Sequence, residues 1–533
     1  MKSQITILAI LGVLSAGLIT CTKLNVDVKS QLTAANFPKT TQDFVSMAGP
    51  VYSALTAEGN NGNGVWMVNQ LAGDECILTA NGGNWYDGGK YRELHLHLFS
   101  NMNAQIDIVW QWGFNGINTC NRVLKLFETA ANDSAKNTAI AEIRSVRAYF
   151  YFMMMDMFGG IPINTTFGDT AAKPRATRTD VFNFIESELK AAIPALHTNV
   201  DATTYGRPTK WMAYALLAKL YLNAEVYTGS ARYSDAAAAC DTIIQQATGN
   251  GAFALDANYI NMFKINNGPQ VKDFIFTIPY DANNTPAGIY VERYWLHPNL
   301  KTKYSLPYSP SGSLRTLPAF YALFDDPKDS RNKIWLTGKQ YYYDGTPITI
   351  QTTKQGVDAT YTGADASAPV TYQLEFTPDI TFLDLTSFET GNDQLGRAKG
   401  YRCIKFYPDS TSSTRNQGND FPVFRYADVL LMKAECILRG AAATLGQTPL
   451  SLVNQVRSRA GAAAFTTMSL DTLLNERGRE LCFENWRRND LIRFGKFEQP
   501  WGVKTDADPR KRIFPIPANE LILNPLLTQN PGY

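Results

Sequence analysis

The stretch from Ala135 to Phe158 (AKNTAIAEIRSVRAYFYFMMMDMF) places the tightest limit on the fold. Its apolar residues do not keep to one stripe, so as a helix it must be covered on several sides. Gly159-Gly160-Ile161-Pro162 then stops it, because glycine frees the backbone and proline blocks continuation. Other helical patterns stand ready to cover it. One begins at Thr41 (TQDFVSMAGPVYSAL), and another runs from Met102 to Phe127 with Trp110, Ile117 and Val123 at helical spacings. A third spans Arg178 to about Ile193, with Thr179 or Asp180 as a cap and Pro194 at its end. Over 533 residues, 45% hydrophobic and 18% charged, the chain has apolar material for a large core without staples.

Two helix pairs give the stack its character. Gly206-Arg207-Pro208-Thr209 turns into a helix from Lys210 to Tyr227, with Pro208 suited to a first turn. Its partner runs from Tyr233 to Ala247. Ala218 and Tyr221 on one face Tyr233, Ala236, Cys240 and Ile243 on the other at intervals of three and four. Small residues there let two helices approach closely, as in tetratricopeptide repeats. A second pair joins Arg425 onward (RYADVLLMKAECIL) to Leu450–Arg459. Between Asn250 and Asp420 the chain is rich in Gly, Pro, Asn and Ser, with strand-like pieces at Asp273–Pro279 and Thr346–Thr352. The expected fold is therefore mainly α: a tetratricopeptide-like helix-pair scaffold with an irregular loop-rich insertion and a few short strands.

The N-terminus sets the compartment. Ile5 to Ile19 is an apolar run behind Met1-Lys2, too short to span a bilayer comfortably, and it ends at Thr20-Cys21 where the chain turns polar. Leu18-Ile19-Thr20-Cys21 resembles a bacterial lipobox, with Thr20 where a smaller residue is usual, and makes Cys21 the expected lipidation site. The other reading is an ordinary secretory signal with an incidental cysteine. The expected layout is a signal peptide at 1–20, a lipid-anchored tether at 21–35, an N-terminal helical part at 36–250, a loop-rich ligand-binding part at 251–424, and a C-terminal helical part with an extended tail at 425–533. The other six cysteines form no CxxC pair and read as buried thiols, with disulfide status open.

Signatures of catalysis are missing. The chain has no Walker loop, HExxH or GxSxG. His95 and His97 form an HxH, but a third ligand is wanting and structural histidines are expected. Asp74-Glu75 could be half of a glycosidase acid pair, a geometry that sequence does not specify. The charge cluster from Glu476 to Arg493 alternates in sign and is expected to pair internally. With Lys+Arg at 50 and Asp+Glu at 48, the net charge is +2, and no basic cluster suits a phosphate backbone. Nucleic acid is not an expected partner, no cofactor is expected and no metal ligands are assigned, with a metal ion in the loops left open.

The candidate ligand-binding loop is Asn81 to Gly89 (NGGNWYDGG). Sugar rings offer apolar C–H faces to aromatic rings and hydroxyls to carboxylates and amides. Trp85 and Tyr86 supply the first, Asn84 and Asp87 the second. Tyr290, Tyr294 and Trp295 form a second group. Trp85 stands open between a stacking platform and a plug under the loop. For Tyr294 and Trp295 the plug is the favoured role.

Taken together these pieces resemble the SusD/RagB family of outer-membrane nutrient-binding lipoproteins from the Bacteroidetes. The likeness rests on Cys21, on Arg144–Gly160 with Ile161-Pro162, on Gly206-Arg-Pro-Thr with LLAKLYLNAEVY, on Arg425-Tyr-Ala-Asp-Val-Leu-Leu-Met, on Val456-Arg-Ser-Arg-Ala-Gly461, on Glu476–Phe494, and on the ending Asn524–Tyr533. The resemblance implies a non-catalytic oligosaccharide-binding lipoprotein on the outward face of the outer membrane. It also implies a partner, a SusC-like TonB-dependent transporter that receives the cargo. A secreted glycoside hydrolase, or a peptide-binding or scaffolding lipoprotein of the same fold, is the alternative.

Overall fold

The computed structural model describes residues 38, 40–56, 64–128, 130, 134–283, 289, 292–354, 365–391 and 393–533. Cys21, the signal segment, the tether and Tyr290 lie outside them. The chain is mainly helical, and the helices stack pairwise. α1 (Thr41–Leu55), α2 (Ala104–Glu128), α3 (Ser134–Phe158) and α4 (Arg178–Ala192) form the first half. As its composition demands, α3 lies at the centre: α1, α2 and α4 all pack on it, and its last turns from Ser145 to Phe158 are buried on every side. The close fit against α2 depends on glycine. A Cβ on Gly116 or Gly113 would collide with the rings and sulfur of Phe150 and Met154. Gly159, at φ +75°, ends α3 in the left-handed region.

The caps differ in detail from the sequence reading. α4 starts at Arg178 as expected, but its N-cap is Thr177 and not Thr179 or Asp180: the Thr177 hydroxyl accepts from the Asp180 N–H and the Asp180 carboxylate accepts from the Thr177 N–H. α5 (Lys210–Leu222) is capped by Thr209, so Pro208 precedes the cap instead of occupying the first turn. α5 also stops before Tyr227. The Asn223 side chain donates to the Lys219 carbonyl at 2.8 Å, competing with the helical ladder, and a short separate turn Ala224–Thr228 follows.

α6 (Tyr233–Asn250) lies against α5, with Ala218, Ala236, Cys240 and Ile243 buried between them. The stack then jumps. The other side of α6 packs on α7 (Tyr426–Leu438), which packs on α8 (Pro449–Ala460) and α9 (Leu470–Leu481). The intervening segment returns to its starting point through an antiparallel pair, Phe274–Ile278 with Phe421–Arg425. It carries a smaller apolar cluster of its own around Leu296, Tyr304, Ile350, Leu374 and Phe376.

The charge cluster is a buried network, and it pairs between elements more than along one helix. Arg425 bonds Glu484 through two nitrogens at 2.7 and 2.8 Å, Glu480 at 2.9 Å and Asp273 at 3.0 Å. Arg331 reaches Glu476 at 2.8 Å and Glu480 at 3.1 Å. Arg477 joins Asp428 on α7 to Asp490, both at 2.8 Å. These cations hold Glu480 and Asp490 well below the usual carboxylate range, with burial opposing them. Among the described residues no helix is long and apolar enough to cross a membrane.

Candidate functional site

The loop begins as an extension of a strand. Cys76–Leu78 pairs antiparallel with Leu314–Thr316, and the chain runs on so that the Ala80 N–H donates to the Phe388 carbonyl at 3.0 Å. Asn81 is buried beneath the loop, where its side-chain oxygen accepts from Thr390 at 3.0 Å and from Arg315 at 3.2 Å. Gly82 and Gly83 then take φ of +62° and +79°, open only to residues without a Cβ clash, and turn both N–H groups toward one acceptor. That acceptor is Glu389, whose two oxygens receive them at 2.6 and 2.8 Å. The Gly391 N–H adds a third bond at 2.8 Å. A carboxylate three hundred residues away in sequence thus holds the start of the loop, roughly as an N-cap holds a helix.

Trp85 stands at the crest with φ +71°. A bulky residue there is strained by about 1–3 kcal/mol, and such strain gathers at functional sites. The ring is half-buried. Tyr294 meets it edge-on, with ring centroids 4.8 Å apart and planes at 86°. The Arg293 guanidinium lies over the Trp85 ring at 5.3 Å and over Tyr294 at 5.6 Å. Asn84, Tyr86 and Asp87 are exposed, Tyr86 by 41%. Asp87 faces Lys90 at 3.4 Å. The result is an aromatic surface with a fixed guanidinium, an amide, a carboxylate and an ammonium around it. Such a surface can stack on the C–H face of a ring and bond its hydroxyls.

The two halves of the predicted site therefore separate. Asn84, Trp85, Tyr86 and Asp87 share one exposed crest. Tyr294 is buried at 3% exposure and serves the crest from behind. Trp295, at 2%, is corrected to a core residue: its neighbour is Phe483, with ring centroids 5.0 Å apart, and it faces away from solvent. On the short helix Glu292–Trp295 successive side chains are turned by about 100°, and Tyr294 meets Trp85 while Trp295 meets Phe483 in the core. Glu292 on that helix is buried, and desolvation pushes its carboxyl well above the usual range. Arg293 and Glu389 escaped the sequence reading. Arg293 had only its place beside Tyr294 as a signal, and Glu389 had none.

The other candidates have structural partners. Asp74 is clamped by Arg487 at 2.7 and 2.8 Å. Glu75 is fully buried, accepts from the Phe483 N–H at 2.9 Å, and is pushed up to about 8 by desolvation. Glu75 is thus closed off from solvent, and Asp74, though partly exposed, is held by the guanidinium. His95 and His97 are buried, and desolvation lowers both to about 3. The His97 ring stacks on Phe497 at 4.5 Å. The six described cysteines are buried free thiols. Among the described residues no group of three or more His, Cys, Asp or Glu is placed to hold a metal ion.

Comparison with known proteins places the chain. A model described as "SusD family" matches residues 221–533, and one described as "Starch-binding associating with outer membrane" matches 27–222. The chain belongs to the SusD family. Its starch-binding relative SusD from Bacteroides thetaiotaomicron is 23% identical over 514 residues, covering 87% of this chain and 84% of its own. A solved SusD superfamily protein from Parabacteroides distasonis has a TM-score of 0.71 at 21% identity, over 94% of this chain and 100% of its own. Another is surface glycan-binding protein A from Bacteroides thetaiotaomicron in complex with laminarihexaose, with a TM-score of 0.66 at 19% identity over 92% and 100%. These SusD-family proteins are named for binding or for the family, and not for a reaction.

Proposed function

We propose that this SusD-family chain binds oligosaccharides at the Asn81–Gly89 crest without altering them. The observation that carries the reading is Trp85, strained at positive φ, propped edge-on by Tyr294 and set beside the Arg293 guanidinium. A core plug needs no such posture. The names of the relatives, starch-binding and glycan-binding, support the same ligand class. Asp74 and Glu75 are engaged by Arg487 and by the Phe483 N–H, which favours binding over catalysis.

In this reading Cys21 carries the lipid, the mature protein sits outward-facing on the outer membrane, and the cargo passes to a SusC-like TonB-dependent transporter. The outer-membrane description of the family model supports the location. Titration calorimetry of the mature chain against a panel of neutral oligosaccharides tests the binding. Trp85→Ala should lower the affinity for the preferred glycan about tenfold, the worth of one stacked aromatic, with the melting temperature unchanged. Equal affinity in the variant removes Trp85 from the site, and release of shortened sugars by the wild type overturns the non-catalytic reading.

A further inference from the structure

The geometry points to a second saccharide site, selective for anionic sugars, in the groove between the Ile260–Phe263 and Ser330–Ile334 turns. It shares no residue with the Trp85 crest, and it rests on the reading of the chain as a glycan binder.

The groove has a volume of about 820 Å³, within the range of about 300–1,000 Å³ usual for small-ligand sites. Segment 407–410 closes one side, fixed by the Tyr407 N–H donating to the Phe263 carbonyl at 3.0 Å. Asn258, Asn261, Asn266, Lys264 and Lys333 line it with Tyr407. The side chains of Asn261, Asn266, Lys264 and Lys333 have no partner among the described residues. No carboxylate lines the groove. Asp409 adjoins it in sequence but is buried at 3%, and its oxygens are occupied by the N–H groups of Thr411, Ser412 and Gly418.

Tyr407, which lines the groove, joins it to a neighbouring cluster of tyrosines. Tyr343 is 71% exposed, and its hydroxyl meets that of Tyr407 at 2.9 Å. Tyr304 stands edge-on to both rings, at 6.4 and 5.9 Å. Lys303 lies over Tyr304 and Tyr343 at 5.6 and 5.5 Å, a cation beside this cluster and outside the groove lining. A flat exposed ring held by its neighbours is a stacking surface for a sugar, and free amides beside it suit hydroxyls.

The charge is the selective element. Cations that border three other cavities have acidic partners: Lys173 meets Asp169, and Lys190 and Arg232 meet Glu186. In the cavity of about 340 Å³ beside α9, Arg487 is clamped by Asp74 and Lys496 meets Asp471 at 2.9 Å. In a chain of net charge +2 with 48 acidic residues, lysines left unmatched around one groove create a local positive field. Carboxylate or sulfate groups on a saccharide would complete it.

The test is calorimetry on the mature chain with three probes of equal length: an oligogalacturonate, a sulfated galacto-oligosaccharide and its unsulfated parent. At least one anionic probe should bind more tightly than the parent, and the one that does identifies the acid group. The double variant Lys264→Gln/Lys333→Gln should weaken it about fivefold or more, as expected for two half-exposed ion pairs, and flatten its salt dependence. Tyr343→Ala should weaken it as well. Neutral-sugar binding should survive these changes and fall only in Trp85→Ala. Anionic probes that bind no better than the parent, or that are insensitive to the lysine variant, overturn the proposal while leaving the crest intact. Loss of neutral binding alone in Trp85→Ala upholds the crest and bears on it separately. These side chains are exposed or half-exposed, so unchanged melts are expected throughout.

Discussion

Trp85 and Tyr294, 4.8 Å apart between ring centroids and nearly perpendicular, join a glycine-rich loop near the N-terminus to a four-residue helix in the insertion. The contact holds the tryptophan ring in place among the polar groups of the crest. It also shows how the insertion serves the site: it supplies the buttress and Arg293, while the N-terminal loop supplies the exposed crest.

The loop should depend on Glu389 as much as on its own residues. Glu389→Ala strips acceptors from the N–H groups of Gly82, Gly83 and Gly391. Charge-assisted bonds of this kind contribute about 1.5–3 kcal/mol each. Hydrogen exchange at Gly82 and Gly83 should accelerate and glycan affinity should fall, although Glu389 is not placed in contact with the sugar. Unaltered exchange would show that the loop holds itself.

Glycine packing between α2 and α3 predicts a change of sign for one substitution at two places. Gly116→Ala drives a methyl into Phe150 and should destabilise the fold by about 1–3 kcal/mol. Gly249→Ala, near the end of α6 where nothing lies within 4 Å, should be neutral or stabilise by up to about 1 kcal/mol. Urea titration of both variants decides; equal shifts would mean that the α2–α3 contact relaxes freely.

The network around Arg425 should be sensitive to loss of its cation. Arg425→Met leaves Glu480, Glu484 and Asp273 facing one another with less compensation, at about 3–5 kcal/mol. Arg425→Lys should not rescue it, because an ammonium cannot bond Glu484 through two parallel nitrogens. The folded-state carboxyl of Glu480 is depressed, so its contribution is present above the ordinary carboxylate range and is lost as pH falls. Urea midpoints of both variants at neutral pH, and of the wild type down an acid series, check this.

Glu75 runs the opposite way. Its folded-state value is raised from 4.5 to about 8 by burial, so the folded protein holds a proton that the unfolded chain releases. Stability from this group is full below about pH 4.5 and falls by about 1.4 kcal/mol per pH unit up to about pH 8. Glu75→Gln should therefore gain on the wild type steadily across that window in chemical denaturation. A constant difference between the two proteins would mean that Glu75 is ionised in the fold.

Much of this architecture was written locally. The all-round apolar pattern of α3 demanded neighbours, Gly159 and Pro162 marked its end, and the small residues of α5 and α6 announced a close pair, because helix period and chain punctuation are properties of adjacent residues. The Asn81–Gly89 loop was legible for the same reason: its glycines permit the backbone that lifts Trp85. The division of labour between Tyr294 and Trp295 was decided only in three dimensions, since neighbours on one short helix leave it in directions about 100° apart and burial depends on what arrives there. Glu389, Arg293 and the partners of Arg425 came from distant segments. Charge pairing acts through space, and no local pattern records which acid a buried cation will meet.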